Sequence, residues 1–439
     1  MAFASNCRNI RSSAVPGRAD RALVVGACQA GVQLACSLRD MGYAHAITLV
    51  GEERHPPYQR PPLSKALLLN EQSNEALVLR DRAYLAERGI ELVLGKRIVE
   101  LVRDERGGQA RAQSGDVYPY TELAIAVGAA PRRLTVPGCD AQGVHYLRDL
   151  SDAGALGAAL RNAVNVVVLG GGFIGLEVAA SARLLGRSVS VVLADDRLMS
   201  RAVSPMTSGV FDRAHRGHGI SFHYDETIQA VETDRAGRVA AVTLASGPSL
   251  PADVVLVGIG ALPRTDLAER YGLEIGNGVV LDQFCTASDG VTVAAGDCAN
   301  VPNPMRGIAP QRVRFESVST AIEQAKVAAA TLCGTPRRYA STPWFWSDQY
   351  DLKLQAAGFV SAGSEVIVRG AGPSTRYTAL HFDGDTLTGV ECVNSPGDFM
   401  ILKTAMNNGS SVDKTLARDG DVPLRDALGK ASLANAEAP

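Results

Sequence analysis

The sequence predicts an α/β chain built of two Rossmann-like domains followed by a smaller C-terminal α+β domain. Three observations predict it. Two glycine-rich loops, starting at Gly26 and Gly170, each lie between a short apolar run and an amphipathic stretch. Further apolar runs end in glycine at Gly128, Gly258 and Gly296, as strands of a buried sheet do where they turn. After residue 335 the pattern changes to alternating apolar and polar residues, the period of antiparallel strands.

The elements follow in order. Arg21 to Val25 reads as a strand, Gly26-Ala27-Cys28-Gln29-Ala30-Gly31 as a tight turn, and the stretch to about Met41 as a helix that Gly42 ends. Ala46 to Val50 is the next strand and closes a βαβ unit. The same order recurs with the strand Asn165 to Leu169, the loop Gly170-Gly171-Gly172-Phe173-Ile174-Gly175, a helix to about Leu185, and the strand Ser188 to Leu193. Leu123 to Val127, Val254 to Val257 and Val291 to Ala295 are further strands. Glu365 to Val368 and Tyr377 to Phe382 belong to the third domain. The expected boundaries are a disordered extension over 1–20, a discontinuous first domain over 21–118 and 257–332, a second over 119–256, a third over 333–430, and a frayed tail over 431–439.

Composition narrows the function classes. The chain has 439 residues, 46% hydrophobic and 21% charged, enough to bury large cores. Its 44 basic and 46 acidic side chains give a net charge of −2, which excludes an obvious nucleic-acid binder. No apolar run reaches the roughly 18 residues of a membrane span. Arg8, Arg11 and Arg18 lie among Ser and Ala with no apolar core, so the start does not read as a secretory signal. The eight cysteines are scattered, without CxxC pairs or zinc-ligand spacing, and suit free thiols in a reducing cytoplasm.

The glycine loops carry the chemistry. The first glycine makes the turn, the second lets backbone approach a pyrophosphate, and the third lets helix pack on strand. Phosphates then meet free N–H groups and the positive end of the helix dipole. Two such loops imply two dinucleotides, most simply a flavin and a nicotinamide dinucleotide.

With these motifs in view, the sequence resembles the FAD-dependent NAD(P)H:ferredoxin reductases of oxygenase systems. The resemblance spans roughly 21–430. It rests on Tyr58-Gln59-Arg60-Pro61-Pro62-Leu63-Ser64-Lys65, Gly170 to Glu177, Gly258-Ile259-Gly260, Thr286 to Asp297, Glu316-Ser317-Val318 and Pro343-Trp344-Phe345-Trp346-Ser347-Asp348-Gln349. It implies a glutathione-reductase-like arrangement with FAD held by Gly26, Cys28, Gln29, Ala30, Gly31, Glu52, Arg60, Lys65, Gly128, Arg132, Gly296, Asp297, Val318 and Trp346. It implies NADH, or NADPH, held by Gly170, Gly172, Phe173, Ile174, Gly175, Glu177, Asp195 and Gly260. Lys65 and Glu177 would form the catalytic pair beside the flavin, with Glu177 on the first turn of its helix. Phe173 would cover the flavin where nicotinamide enters, and Trp346 would flank it.

The implied partner is a [2Fe–2S] ferredoxin feeding a ring-hydroxylating dioxygenase or a cytochrome P450. Arg306, Arg312 and Arg314 would form its basic docking face. A missing cysteine pair argues against electron transfer to a nearby disulfide. Three positions depart from the family pattern. Cys28 replaces the second glycine, Leu193 replaces the acid that binds the NADH ribose, and Val127 replaces a threonine. They keep open a degenerate flavoprotein fold with a binding or regulatory role, and electron donation to a rubredoxin or nitrite reductase is a third reading.

Overall fold

The computed structural model describes residues 20–104, 107–305, 307–308, 310–361, 363–370 and 375–431. The expectations for the extension before Asp20, for Arg306 and for the tail beyond Ala431 lie outside the described residues.

The elements that build the site come in this chain order. The first part holds β1 (Arg21–Val25), α1 (Gln29–Asp40), β2 (Ala46–Val50), β3 (Ile90–Val93), β4 (Glu122–Ile125) and β5 (Ala129–Pro131). Next come β6 (Val144–His145), β7 (Asn165–Leu169), α2 (Phe173–Leu184), β8 (Ser188–Val192), α3 (Pro205–Gly217), β9 (Ser221–His223), β10 (Val254–Val257) and β11 (Ala261–Pro263). The chain continues with β12 (Val293–Ala294) and α4 (Val318–Leu332). The last part holds β13 (Trp344–Gln349), β14 (Leu352–Gly358), β15 (Glu365–Arg369), β16 (Tyr377–Asp383), β17 (Thr386–Val393) and α5 (Pro396–Asn408).

Two five-stranded parallel sheets form the frame. The first has the order β12-β4-β1-β2-β3 and the second β9-β8-β7-β10-β6. Their central strands are apolar on both faces: Leu23 and Val24 in β1, and Val167 and Val168 in β7, are buried. That continuous apolar character is what a sheet covered on both sides requires. In the first domain α1 and α4 pack against each other over the sheet. The third domain is an antiparallel sheet, β13-β14-β17-β16-β15, with α5 packed on β17.

Both expected boundaries between the first two domains move. The sequence places residues 122–125 in the second domain, yet β4 pairs with β1 in the first sheet, Leu23 opposite Leu123 and Val25 opposite Ile125. The chain crosses only after residue 131. It returns after β10, whose Val257 lies opposite Leu169 in the second sheet. The two crossings pair with each other as an antiparallel ribbon of β5 and β11.

Candidate functional site

Both parallel sheets reverse strand order at the strand that precedes a glycine loop, and such switch points leave a crevice at the strands' C-terminal ends. Gly26 leaves β1 with φ +112°, and a Cβ there would lie 2.2 Å from the Ala126 carbonyl oxygen beyond β4. Gly170 leaves β7 with φ +104°, and a Cβ there would lie 2.4 Å from the Gly258 oxygen beyond β10. The two turns are therefore built alike. Both open onto one cleft of about 1380 Å³, which the third domain borders through Phe345 and Trp346.

The residues fit two dinucleotides. No side chain caps the start of α1 or α2, and neither helix has an acid in its first turn, so their N–H groups remain free for phosphate. Gly172 faces open space, as a close backbone approach requires. In the first loop Cys28 stands at that position. Its backbone has φ −125°, so the side chain strains nothing in the protein itself. Its Sγ accepts a hydrogen bond of 3.1 Å from Arg60 Nε. Gly31 and Gly175 lie beneath the cleft rather than on its wall, where a Cβ would meet the Gly26 oxygen at 1.8 Å and the Gly170 oxygen at 2.5 Å. They hold helix against strand.

Most of the remaining residues expected from the sequence lie on the wall: Gln29, Ala30, Glu52, Arg60, Lys65, Gly128, Gly296, Asp297 and Val318 in the first half, and Phe173, Ile174, Asp195 and Gly260 in the second. Arg132 does not. Its backbone N–H donates to the Gly260 carbonyl at 2.9 Å, beside the interdomain ribbon, and the wall stops at Pro131. Glu52 is paired with Arg264 at 2.6 Å. Phe173 packs on Phe345 with ring centroids 4.8 Å apart, and Trp346 lies 5.6 Å from Trp344, giving one end of the cleft an aromatic wall.

The Lys65–Glu177 pair forms as expected, with Nζ 3.1 Å from Oε1. Glu177, however, lies one turn deeper than expected, as the fifth residue of α2, and is buried. It is not a solvated acid at a helix start. Burial pushes its carboxyl above the usual carboxylate range, opposed by the Lys65 ammonium and by hydroxyl donors from Ser347 and Ser64. Ser64 Oγ donates to Oε2 at 2.5 Å and Ser347 Oγ donates to Oε1 at 2.6 Å.

Sequence reasoning missed several wall residues. Arg148 binds Asp297 at 2.8 Å, and its carbonyl accepts from Arg60. Glu53 pairs with Arg60 at 2.5 Å. No local pattern marks these residues, because tertiary folding brings them together. At the far end, Leu193 is 2% exposed and packs over Gly171, so no acid replaces it at that position. The Arg197 guanidinium donates to the carbonyls of Ser200 and Val203, while Asp195 and Arg201 face the cleft. Arg314 is largely buried and paired with Glu316, so it is no free charge for a docking face.

Residues 20–325 match the family of pyridine nucleotide-disulphide oxidoreductases, and residues 344–428 match the reductase C-terminal domain. The chain is 41% identical over 408 residues to rhodocoxin reductase of Rhodococcus erythropolis, covering 93% of this chain and 94% of the relative. Among solved structures, it is similar to the ferredoxin reductase for the CYP199A2 system from Rhodopseudomonas palustris. The TM-score is 0.89 at 37% identity, over 94% of this chain and 100% of that one. The covalent putidaredoxin reductase–putidaredoxin complex matches with a TM-score of 0.88 at 34% identity, over 93% and 98% of the two chains.

Proposed function

The chain belongs to the pyridine nucleotide-disulphide oxidoreductases that carry a reductase C-terminal domain, and from that premise we propose that it is an FAD-dependent NAD(P)H:ferredoxin reductase serving an oxygenase. One observation carries the reading: two glycine loops of matching geometry open onto a single cleft, and the Lys65–Glu177 pair lies where its two halves meet.

The chemistry supplied by bound FAD is acceptance of two electrons from reduced nicotinamide and their release one at a time. The protein's part is alignment and electrostatics. The N-terminus of α1 would hold the FAD pyrophosphate, with Arg60, bonded to Cys28, available beside it, and Asp297, fixed by Arg148, would hold the ribityl chain. The N-terminus of α2 meets the NADH pyrophosphate. Phe173 and Ile174, the latter 47% exposed, form an apolar entrance that orders the nicotinamide. Lys65 would set a cation beside the bound flavin, and Glu177, paired with it, fixes where that cation points. Cys28 is the one cysteine on the cleft wall among the described residues, so electrons leave to an outside acceptor rather than to a cysteine pair in the cleft.

Asp195 favours NADH over NADPH. The guanidinium of Arg197 is already committed to backbone carbonyls, which leaves Arg201 as the cation that would attract a 2′-phosphate. The acceptor is a [2Fe–2S] ferredoxin docking near Arg312. That side chain donates to the carbonyls of Leu281 and Asn300 and has no carboxylate partner among the described residues. No helix among the described residues is long and apolar enough to cross a membrane, and we place the reaction in the cytoplasm.

The purified protein is expected to be yellow, to bleach with NADH, and to reduce cytochrome c only when a ferredoxin is added. A colourless chain that no flavin reconstitutes sinks the reading. A yellow protein indifferent to both nicotinamides sinks its electron-transfer half.

A further inference from the structure

Beyond the Lys65–Glu177 pair runs a line of buried polar groups that the chemistry above does not use. Ser347 Oγ donates to Glu177 at 2.6 Å, Gln349 Nε2 donates to Ser347 Oγ at 3.0 Å, and Gln349 Oε1 lies 2.7 Å from His215 Nε2. Ser347, Gln349 and His215 are each at most 1% exposed. They come from two domains. Ser347 and Gln349 lie two apart on β13, on one face of the strand, and His215 lies on α3.

The direction of every hydrogen bond is imposed from one end. An ionised carboxylate only accepts, so Ser347 spends its single hydrogen on Glu177. Gln349 must then present its N–H group to Ser347 and its carbonyl to His215. His215 in turn must carry its proton on Nε2, leaving Nδ1, which has no partner, bare. Ser64 and Lys65 also donate to the same carboxylate. Each group in the line is thus a donor aimed towards Glu177. A line containing a primary amide is poorly suited to pass protons along, but it can hold a charge in place.

We propose that Ser347, Gln349 and His215 are positioning residues that act through Glu177, keeping it ionised and aimed at Lys65 beside the flavin. The proposal rests on the reading of the cleft given above. The charged and titratable groups around the line are few. Lys65 faces Glu177, and Asp348 lies 3.8 Å from Lys65 Nζ. Asp212 acts on His215 from its own helix and His218 from just past the helix end, and Tyr350, within the influence of Arg183, packs on its ring from the other side. Burial keeps the His215 ring neutral, its pKa pushed down to about 4.

Stopped-flow bleaching of the FAD-loaded protein by NADH, without oxygen and across pH, tests the line. Ser347→Ala should move the acid limb of the profile up by about one pH unit, because a lost donor lets Glu177 take a proton sooner. His215→Leu should move it the same way by less, and His215→Gln, which keeps an N–H for Gln349, should restore it. The flavin midpoint potential should turn more positive in the first two variants, since Lys65 then loses its counter-charge. Unmoved profile and potential in folded, flavin-loaded variants overturn the proposal, as does His215→Gln behaving like His215→Leu. A third readout needs neither variant nor flavin: histidine labelled with ¹⁵N should show His215 protonated at Nε2, and a proton on Nδ1 overturns the assignment. If wild-type protein holds no flavin or does not bleach, the reading of the cleft falls and takes the line with it. If wild type bleaches and the variants do not differ, the line alone falls.

Discussion

Cys28 shows how a residue can be wrong for a motif and acceptable to a fold. A second glycine in this loop serves the ligand and not the backbone. Gly172 has an ordinary φ of −83° and faces open space, and Cys28 has an ordinary φ of −125°. The thiol therefore costs nothing until a pyrophosphate must approach, when displacement or strain of about 1–3 kcal/mol is due. Cys28→Gly should tighten FAD binding about 5- to 150-fold by that amount, read as flavin retained through extensive dialysis. Unchanged retention would mean that the sulfur stands clear of the pyrophosphate path. Asp195 poses the matching question at the other loop. With Leu193 buried, it is the acid on the wall at the ribose end. Asp195→Asn should raise KM for NADH several-fold with kcat little changed, the pattern of lost ground-state binding. A fall in kcat at constant KM would place Asp195 elsewhere in the reaction.

At the scale of elements, the two βαβ units were legible because their information is local. The glycines sit within a few residues of the strands and helices they join, and observed ends differ from the expected ones by a residue or so. What local reading could not supply was pairing. The run Leu123 to Val127 reads as a strand anywhere, and only its pairing with β1 assigns it to the first sheet. The ribbon of β5 and β11 escaped because three-residue strands carry no periodicity. The site divides in the same way. Lys65, Glu177 and Asp297 belong to motifs, whereas Arg148 and Glu53 enter through folding. The glycines themselves separate into two kinds that a motif treats as one. Gly31→Ala places a Cβ 1.8 Å from the Gly26 oxygen and should cost about 3 kcal/mol, seen as a lower urea midpoint. Gly172→Ala meets nothing within 4 Å and should change stability by under about 1 kcal/mol, while weakening NADH binding. Equal losses of stability would refute this division of labour.

Across the whole molecule, the third domain does more than cover the cleft, because it is bolted to the second along α3. At the start of that helix the backbone N–H of Ser204 donates to Glu391 Oε1 at 2.8 Å, and the Tyr377 hydroxyl donates to Thr207 Oγ1 at 2.7 Å. Near its end His215 meets Gln349. Glu391 is buried on β17, and its other oxygen accepts from His381 Nε2 at 2.8 Å. One carboxylate thus satisfies a donor of its own sheet and a donor of the neighbouring domain. Glu391→Ala leaves both donors buried without an acceptor, at about 1–3 kcal/mol each. The loss falls on the contact between domains rather than within the two parallel sheets. Calorimetry should therefore show the third domain melting ahead of the rest, and limited proteolysis should cut between α4 and β13 in the variant sooner than in the wild type. The aromatic wall would loosen with it, because Phe345 and Trp346 reach the cleft from β13. Ferredoxin reduction should then slow even at temperatures where FAD stays bound. A single transition, merely lowered, would mean that the three domains unfold as one unit and that Glu391 stabilises all of them alike.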